Sequence, residues 1–290
     1  MENNKKTRIP RIAAIHDLSG FGRCALTVIL PVISSMGLQA VPVPTALLST
    51  HTGGFTDMYF EDLTEQMDKI SAHFDALDIK FDAIYTGFLG SEHQIEVVSR
   101  FMDRFGDEDC LVFVDPVMGD DGELYSTYTK ELANGMKKLC EKADIITPNL
   151  TEACFLAGVP YTERKDMSCE EASAFAKMLT DKISEFSKAD TVITGLHCRG
   201  DLVATYVREK ELSRLHTEQH VGCNYPGTGD IFASVLLGRL LNGASLFDSA
   251  VFASAFTRET VEFSMGYDTP VREGVSFEPL LYKLTKQKGR

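Results

Sequence analysis

Residues 225–234 read YPGTGDIFAS, an acid set directly behind two glycines. Gly227, Thr228 and Gly229 precede an apolar run, IFASVLLGRLL, which predicts a helix beginning near Asp230. The first N–H groups of a helix lack partners within it, and the helix dipole favours negative charge there. These three residues are therefore candidates to hold an anion such as a transferring phosphoryl group. Asp230 would then serve the other reactant, accepting the proton of an attacking hydroxyl. The spacing alone fits a plain N-cap equally, because Asp is favoured at that position.

Two further stretches carry acids. DPVMGDDGELY (115–125) and ITPNLTEACFLAG (146–158) place Asp115, Asp120, Asp121 and Glu152 near two strand ends. Magnesium takes such hard oxygen ligands, typically one or two carboxylates completed by water and substrate phosphates. Asn149 and Thr147 are within reach of a phosphate or ribose in the same reading. An Asp- and Gly-rich turn, a turn at Pro148 and a Glu in the first turn of a helix account for the same letters. His16, just after a strand, is open to a substrate contact or to a purely structural role. Other chemistries lack their signatures. There is no G-x-x-x-x-G-K-[ST], no G-x-G-x-x-G after the first strand, no G-x-S-x-G and no Cys/His spacing suited to zinc.

Side chains so scattered need a scaffold that gathers them. Short β-rich runs are predicted as strands at 11–16, 40–45, 81–88, 110–117, 144–149 and 191–196. Between them, 22–37, 61–77, 91–106, 126–143 and 169–186 carry apolar residues at three- and four-residue steps and predict helices. Such alternation predicts an α/β fold, a mainly parallel sheet covered on both faces. The alternating segment 201–221 predicts antiparallel strands at one edge, and two helices follow at 229–243 and 245–263. Ligands of open α/β sheets bind beyond the carboxyl ends of the strands. The residues at those ends are His16–Asp17, Thr45, Gly87–Phe88, Asp115, Asn149 and Thr194, which predicts one cleft.

The 290 residues suit one domain spanning 1–290, and 44% apolar content marks a globular chain. A net charge of −13 argues against nucleic acid as a partner, though not against nucleotides. No apolar run is long enough to span a membrane, and the charged start of the chain does not read as a secretion signal. Seven scattered cysteines, none in a C-x-x-C pair, are expected to be reduced thiols of a cytoplasmic protein.

DPVMGD, ITPNLTEA and PGTGD occur in this order and at similar separations in pyridoxal kinases of the ribokinase-like superfamily, which the chain resembles from about residue 11 to 265. STHTGGF (49–55) resembles the family's S-N-H-T segment, and IHDLSGFGR and YTGFLGS fall at its first strand exit and substrate-flanking aromatic. The resemblance implies a three-layer α/β/α sandwich and a kinase that moves the ATP γ-phosphate to the hydroxymethyl group of a vitamin B6 vitamer. It implies Asp230 as base, with Gly227, Thr228 and Gly229 as the anion hole. Asp115, Asp120 and Glu152 would surround Mg2+, in part through water. Asn149 and Thr194, with Thr228 and Gly229, would face the nucleotide, and Asp17, His51, Thr52 and Phe88 the substrate. A monovalent cation such as K+ near Asp115 and Thr147, and a homodimer, are further implications.

One departure bears on substrate. Pyridoxal kinases usually carry Ser where this chain has Asp17, and D-L-S-G resembles the D-P-S-G of hydroxymethylpyrimidine kinases, as does TAL (45–47). Those relatives usually carry Gln where this chain has Thr50, and many have Cys at the place of Asp230. The expected substrate is thus a B6 vitamer. A hydroxymethylpyrimidine kinase of thiamine synthesis is the alternative, and a non-catalytic sensor with the same fold is an alternative from another class.

Overall fold

The computed structural model describes residues 8–125, 128–162 and 167–285. The strands are β1 (Arg11–Phe21), β2 (Gln39–Thr50), β3 (Phe60–Asp62), β4 (Ala83–Thr86), β5 (Leu111–Val114), β6 (Gly119–Asp120), β7 (Glu123–Leu124), β8 (Ile145–Ile146), β9 (Asp190–Cys198), β10 (Leu202–Glu209) and β11 (Leu212–Gln219). The helices are α1 (Leu26–Ser35), α2 (Thr64–Ala76), α3 (Glu92–Phe105), α4 (Lys130–Cys140), α5 (Leu150–Ala157), α6 (Cys169–Ile183), α7 (Thr228–Leu241) and α8 (Leu246–Ser264). Nine of these strands form one sheet in the order β11-β10-β9-β8-β5-β4-β1-β2-β3. The pairs from β2 through β9 are parallel, whereas β10, β11 and β3 are attached antiparallel.

Alternation along the strands sends side chains to two cores. Ala13 and Ile15 of β1 join Ile84 and Val114 under α3 to α6, while Ile12 and Ala14 join Tyr85 and Phe113 under α1, α7 and α8. Each Val, Leu or Ile so buried stabilises the fold by about 1.5–3 kcal/mol relative to exposure. The result is the expected three-layer sandwich with a mainly parallel sheet and an antiparallel edge. None of the seven cysteines is joined in a disulfide. Among the described residues, no helix is long and apolar enough to cross a membrane.

The largest departure from the sequence-based expectation is the length of β1 and β2. Both continue past the predicted ends, paired as far as Phe21 and Thr50, with β3 added antiparallel to β2. The register slips where Asp17 alone faces Thr45 and Ala46, a bulge that re-aims the following residues. Asp17 and Thr45 therefore lie within strands, not at strand exits. Backbone pairing, which has no hydrophobic periodicity of its own, carries the strands onward. The helix predicted for 126–143 is observed from Lys130, and Ser126 and Thr127 lie outside the described residues.

Candidate active site

The carboxyl ends of the parallel strands open on a cleft of about 680 Å³, with α7 entering from one side. Asp17, His51, Thr52, Phe88, Asp115 and Asp120 border it, as do Asn149, Glu152, Thr194 and the 227–230 turn. The topology thus brings these side chains to one cleft, whereas Thr45 and Gly87, also expected at its edge, are not among the residues lining it.

The turn before α7 has the geometry an anion site needs. Gly227 takes φ 86° as N-cap, where no side chain caps the helix, and Thr228 directs its hydroxyl back to the Tyr225 carbonyl at 3.1 Å. A Cβ at Gly227 would overlap the Arg23 carbonyl, so glycine is required by space as well as by φ. The first N–H groups of α7 are left facing the cleft without a side-chain cap. Asp230, half-buried in the first turn, accepts the Ala25 N–H through Oδ2 at 2.8 Å. Its carboxyl is lifted to about 7 by burial, with Asp17 adding to the rise and the Ala25 bond opposing it. A carboxyl poised near neutrality is suited to general-base work.

The second acidic region is built differently. Asn149 caps α5, its Oδ1 accepting the Glu152 N–H at 2.9 Å, while Glu152 Oε2 accepts the Asn149 N–H at 2.8 Å. Glu152 Oε1 takes the Met118 N–H at 3.0 Å, and Asn149 Nδ2 donates to the Gly119 carbonyl at 2.8 Å. These groups tie α5 to the β6–β7 hairpin, whose Asp121–Gly122 turn has positive φ at both residues. The Gly122 N–H donates to Thr151 Oγ1 at 2.9 Å. Burial raises Glu152 to about 8, and it raises the Asp115 carboxyl well above the usual range, helped by Glu152 and Asp230. Asp120 sits exposed on the hairpin.

Buried acids that lift one another suit a cation. The Thr147 hydroxyl is buried beside Asp115 and within its hydrogen-bonding influence, one more oxygen for a hard ion. Among the described residues no three His, Cys, Asp or Glu side chains converge to cage an ion, so water or substrate oxygens would have to complete the shell.

At the opposite end, His51 is buried with both ring nitrogens engaged. Nδ1 accepts the Gly53 N–H at 3.0 Å, which leaves Nε2 to donate to the Arg272 carbonyl at 2.7 Å. Burial lowers its pKa, and the neutral Nε2–H tautomer follows. His51 therefore offers a substrate its ring, not a free nitrogen. Thr52 is exposed beside it, and Phe88 stands at the wall against Tyr128, ring centroids 5.8 Å apart. Asp17 is buried, its Oδ2 accepting the Ser19 hydroxyl at 2.8 Å, and burial raises its pKa. Thr194 lies on β9, its N–H donating to the Pro148 carbonyl at 3.0 Å. His16 is fully buried against Tyr85 and held to about 3 by burial, a structural neutral imidazole at neutral pH.

Sequence reasoning passed over Ala25 and the segment 272–275. Ala25 contributes only a backbone N–H, at φ 49°, and no residue type announces that.

Residues 30–274 match the family model for phosphomethylpyrimidine kinase. A Bacteroides thetaiotaomicron protein, provisionally designated a phosphomethylpyrimidine kinase and solved in an orthorhombic form with pyridoxal, superposes with a TM-score of 0.86 at 40% identity over 96% of both chains. The pyridoxine/pyridoxal/pyridoxamine kinase of Bordetella avium is 31% identical over 249 residues, 81% of this chain and 78% of its own length. The hydroxymethylpyrimidine/phosphomethylpyrimidine kinase of Bacillus subtilis is 28% identical over 233 residues, 79% of this chain and 80% of its own. With its sheet, its cleft and its PGTGD turn in place, this chain belongs to the phosphomethylpyrimidine kinase family, in the ribokinase-like superfamily, and is a kinase of that family.

Proposed function

We propose that this chain is an ATP-dependent kinase of vitamin B6 vitamers, phosphorylating the hydroxymethyl group of pyridoxal, pyridoxine or pyridoxamine. The placement of Asp230 carries the reading: a carboxylate poised near neutrality at the mouth of an uncapped helix N-terminus. One of its oxygens is held by Ala25 N–H, leaving the other for the proton of the substrate alcohol. Gly227, Thr228 and Gly229 hold the phosphoryl oxygens as charge develops. His51, Thr52 and Phe88 flank the ring, Asp17 reads its polar edge, and Asn149 and Thr194 face the nucleotide phosphates. Asp115, with Asp120 and Glu152 acting in part through water, would hold Mg2+, and K+ would fit near Asp115 and Thr147. The metal, when bound, offsets phosphate charge. Identity of 40% with a relative solved with pyridoxal supports the choice of substrate.

Hydroxymethylpyrimidine is the second reading, favoured by the carboxylate of Asp17 within D-L-S-G and by the Bacillus subtilis relative. An ADP-release assay with ATP, magnesium, the three vitamers and hydroxymethylpyrimidine separates them. Turnover of at least one vitamer is expected. Turnover of hydroxymethylpyrimidine alone would overturn the first reading, and no ATP-dependent turnover of any alcohol would favour a sensor.

A further inference from the structure

Beyond α8, the short segment Arg272–Val275 reaches three separate loops at the substrate end of the cleft. The Arg272 carbonyl accepts the His51 Nε2–H bond at 2.7 Å. The Glu273 carbonyl accepts the Arg23 N–H at 3.0 Å, and the Val275 N–H donates to the Pro226 carbonyl at 3.2 Å. The Arg272 guanidinium lies over the Phe55 ring, 5.2 Å from its centroid, and Phe55 stands edge-on to His51 at 5.0 Å. Arg23 is anchored further by Glu278, Nε to Oε1 at 2.6 Å.

Gly274 is the tight point. Its φ is +84°, and a Cβ there would lie 2.7 Å from the Arg23 carbonyl oxygen, 2.8 Å from its Cβ and 2.9 Å from its nitrogen. Arg23 in turn governs the base. Its carbonyl is pressed against Gly227 of the anion turn, and two residues on, the Ala25 N–H holds Asp230 at 2.8 Å. A shift of the Arg23 backbone is thus passed to the base and to the turn beside it.

We propose that Arg272–Val275 is a positioning strap for phosphoryl transfer. Without touching the reacting atoms, it sets the tautomer and orientation of His51 through Arg272, and the placement of Asp230 through Gly274, Arg23 and Ala25. The proposal rests on the assignment of Asp230 and His51 to the reacting alcohol. Transfer depends on near-attack geometry, and a displacement of about 1 Å can cost roughly 100-fold in rate. A segment that closes three loops onto one another is placed to supply that precision.

Gly274→Ala tests it against Gly200→Ala as control. Gly200 has the same φ of +84°, but nothing lies within 4 Å of its would-be Cβ, so it carries the backbone strain without the collision. Gly274→Ala is expected to lower kcat about tenfold or more while the KM for ATP stays within about twofold. Gly200→Ala should lose melting temperature and keep kcat. Arg272→Ala, which leaves the backbone bonds in place, should raise the KM for the alcohol severalfold and leave that for ATP unchanged, and it carries the test if Gly274→Ala does not fold. A normal kcat in Gly274→Ala, equal activity losses in the two glycine variants, or an unchanged alcohol KM in Arg272→Ala would overturn the strap. Failure of the functional reading appears earlier, as a wild-type protein without alcohol turnover.

Discussion

Two helices point their N-termini into the same cleft, and they treat their unpaired N–H groups in opposite ways. α5 is closed by its own side chains: Asn149 and Glu152 form a reciprocal capping box, and Glu152 also fastens Met118. α7 starts on a glycine without a side-chain cap, and its first-turn acid is steadied by a residue from another element, Ala25. Capping spends polar groups on the fold, whereas an open terminus keeps them for a ligand. On the proposed function, the contrast gives α7 mainly a chemical and α5 mainly an architectural part, although both belong to motifs that read alike as strings of Asp, Glu, Asn and Gly.

The largest effect should come at α7. Asp230→Asn keeps the size of the side chain and removes the base, so kcat should fall by roughly 100- to 10,000-fold. Calorimetric affinity for an ATP analogue should change far less, and a near-normal kcat would place α7 beside α5 as architecture. In the wild type, the base works ionised, so kcat/KM should rise with pH as Asp230 loses its proton near 7 and fall away below it. A flat profile between pH 6 and 8, at saturating magnesium, would remove Asp230 from the rate.

Asp17 stands between the two cases, spending one oxygen on Ser19 while bordering the cleft. A charge-assisted bond from an aminomethyl group is worth about 1.5–3 kcal/mol. Asp17→Ser should therefore lower kcat/KM for pyridoxamine about tenfold more than for pyridoxal. Equal losses with a lower melting temperature would class Asp17 with the α5 groups.

At α5 the expected readout is stability. Without metal, burial holds Glu152 at about 8, above its ordinary 4.5, so it keeps its proton near neutrality when folded and releases it when unfolded. Its contribution is thus full below about pH 4.5 and lost as pH rises through about 8. Denaturant titrations from pH 5 to 8 should show this decline in the wild type and less of it in Glu152→Gln, which should also need more magnesium for half activity. Identical slopes would contradict a protonated Glu152. The smallest effect is Asn149→Ala, a cap loss of about 1 kcal/mol. Its check is the denaturation midpoint, and an unchanged midpoint would mean the box contributes nothing.

Much of this molecule was legible in the chain itself. The step from two-residue to three- and four-residue apolar spacing located most helices and the parallel strands, because side-chain direction repeats locally along each element. The glycines and acid of PGTGD were likewise readable, since φ at Gly227 and the start of α7 are local properties. What tertiary structure decided is how each polar group is spent. Asn149, Glu152 and Asp230 look alike as residue types, yet only the folded chain brings the Glu152 oxygens to Met118 and Asn149 and the Ala25 N–H to Asp230. The extension of β1 past His16 depends on its pairing with β2. The closure of the substrate end depends on Arg272–Val275 meeting loops that are remote in sequence. Periodicity and propensity are read from neighbours along the chain, whereas the partner of a backbone N–H, and the burial that sets a carboxyl's proton affinity, are supplied by whatever the fold brings alongside.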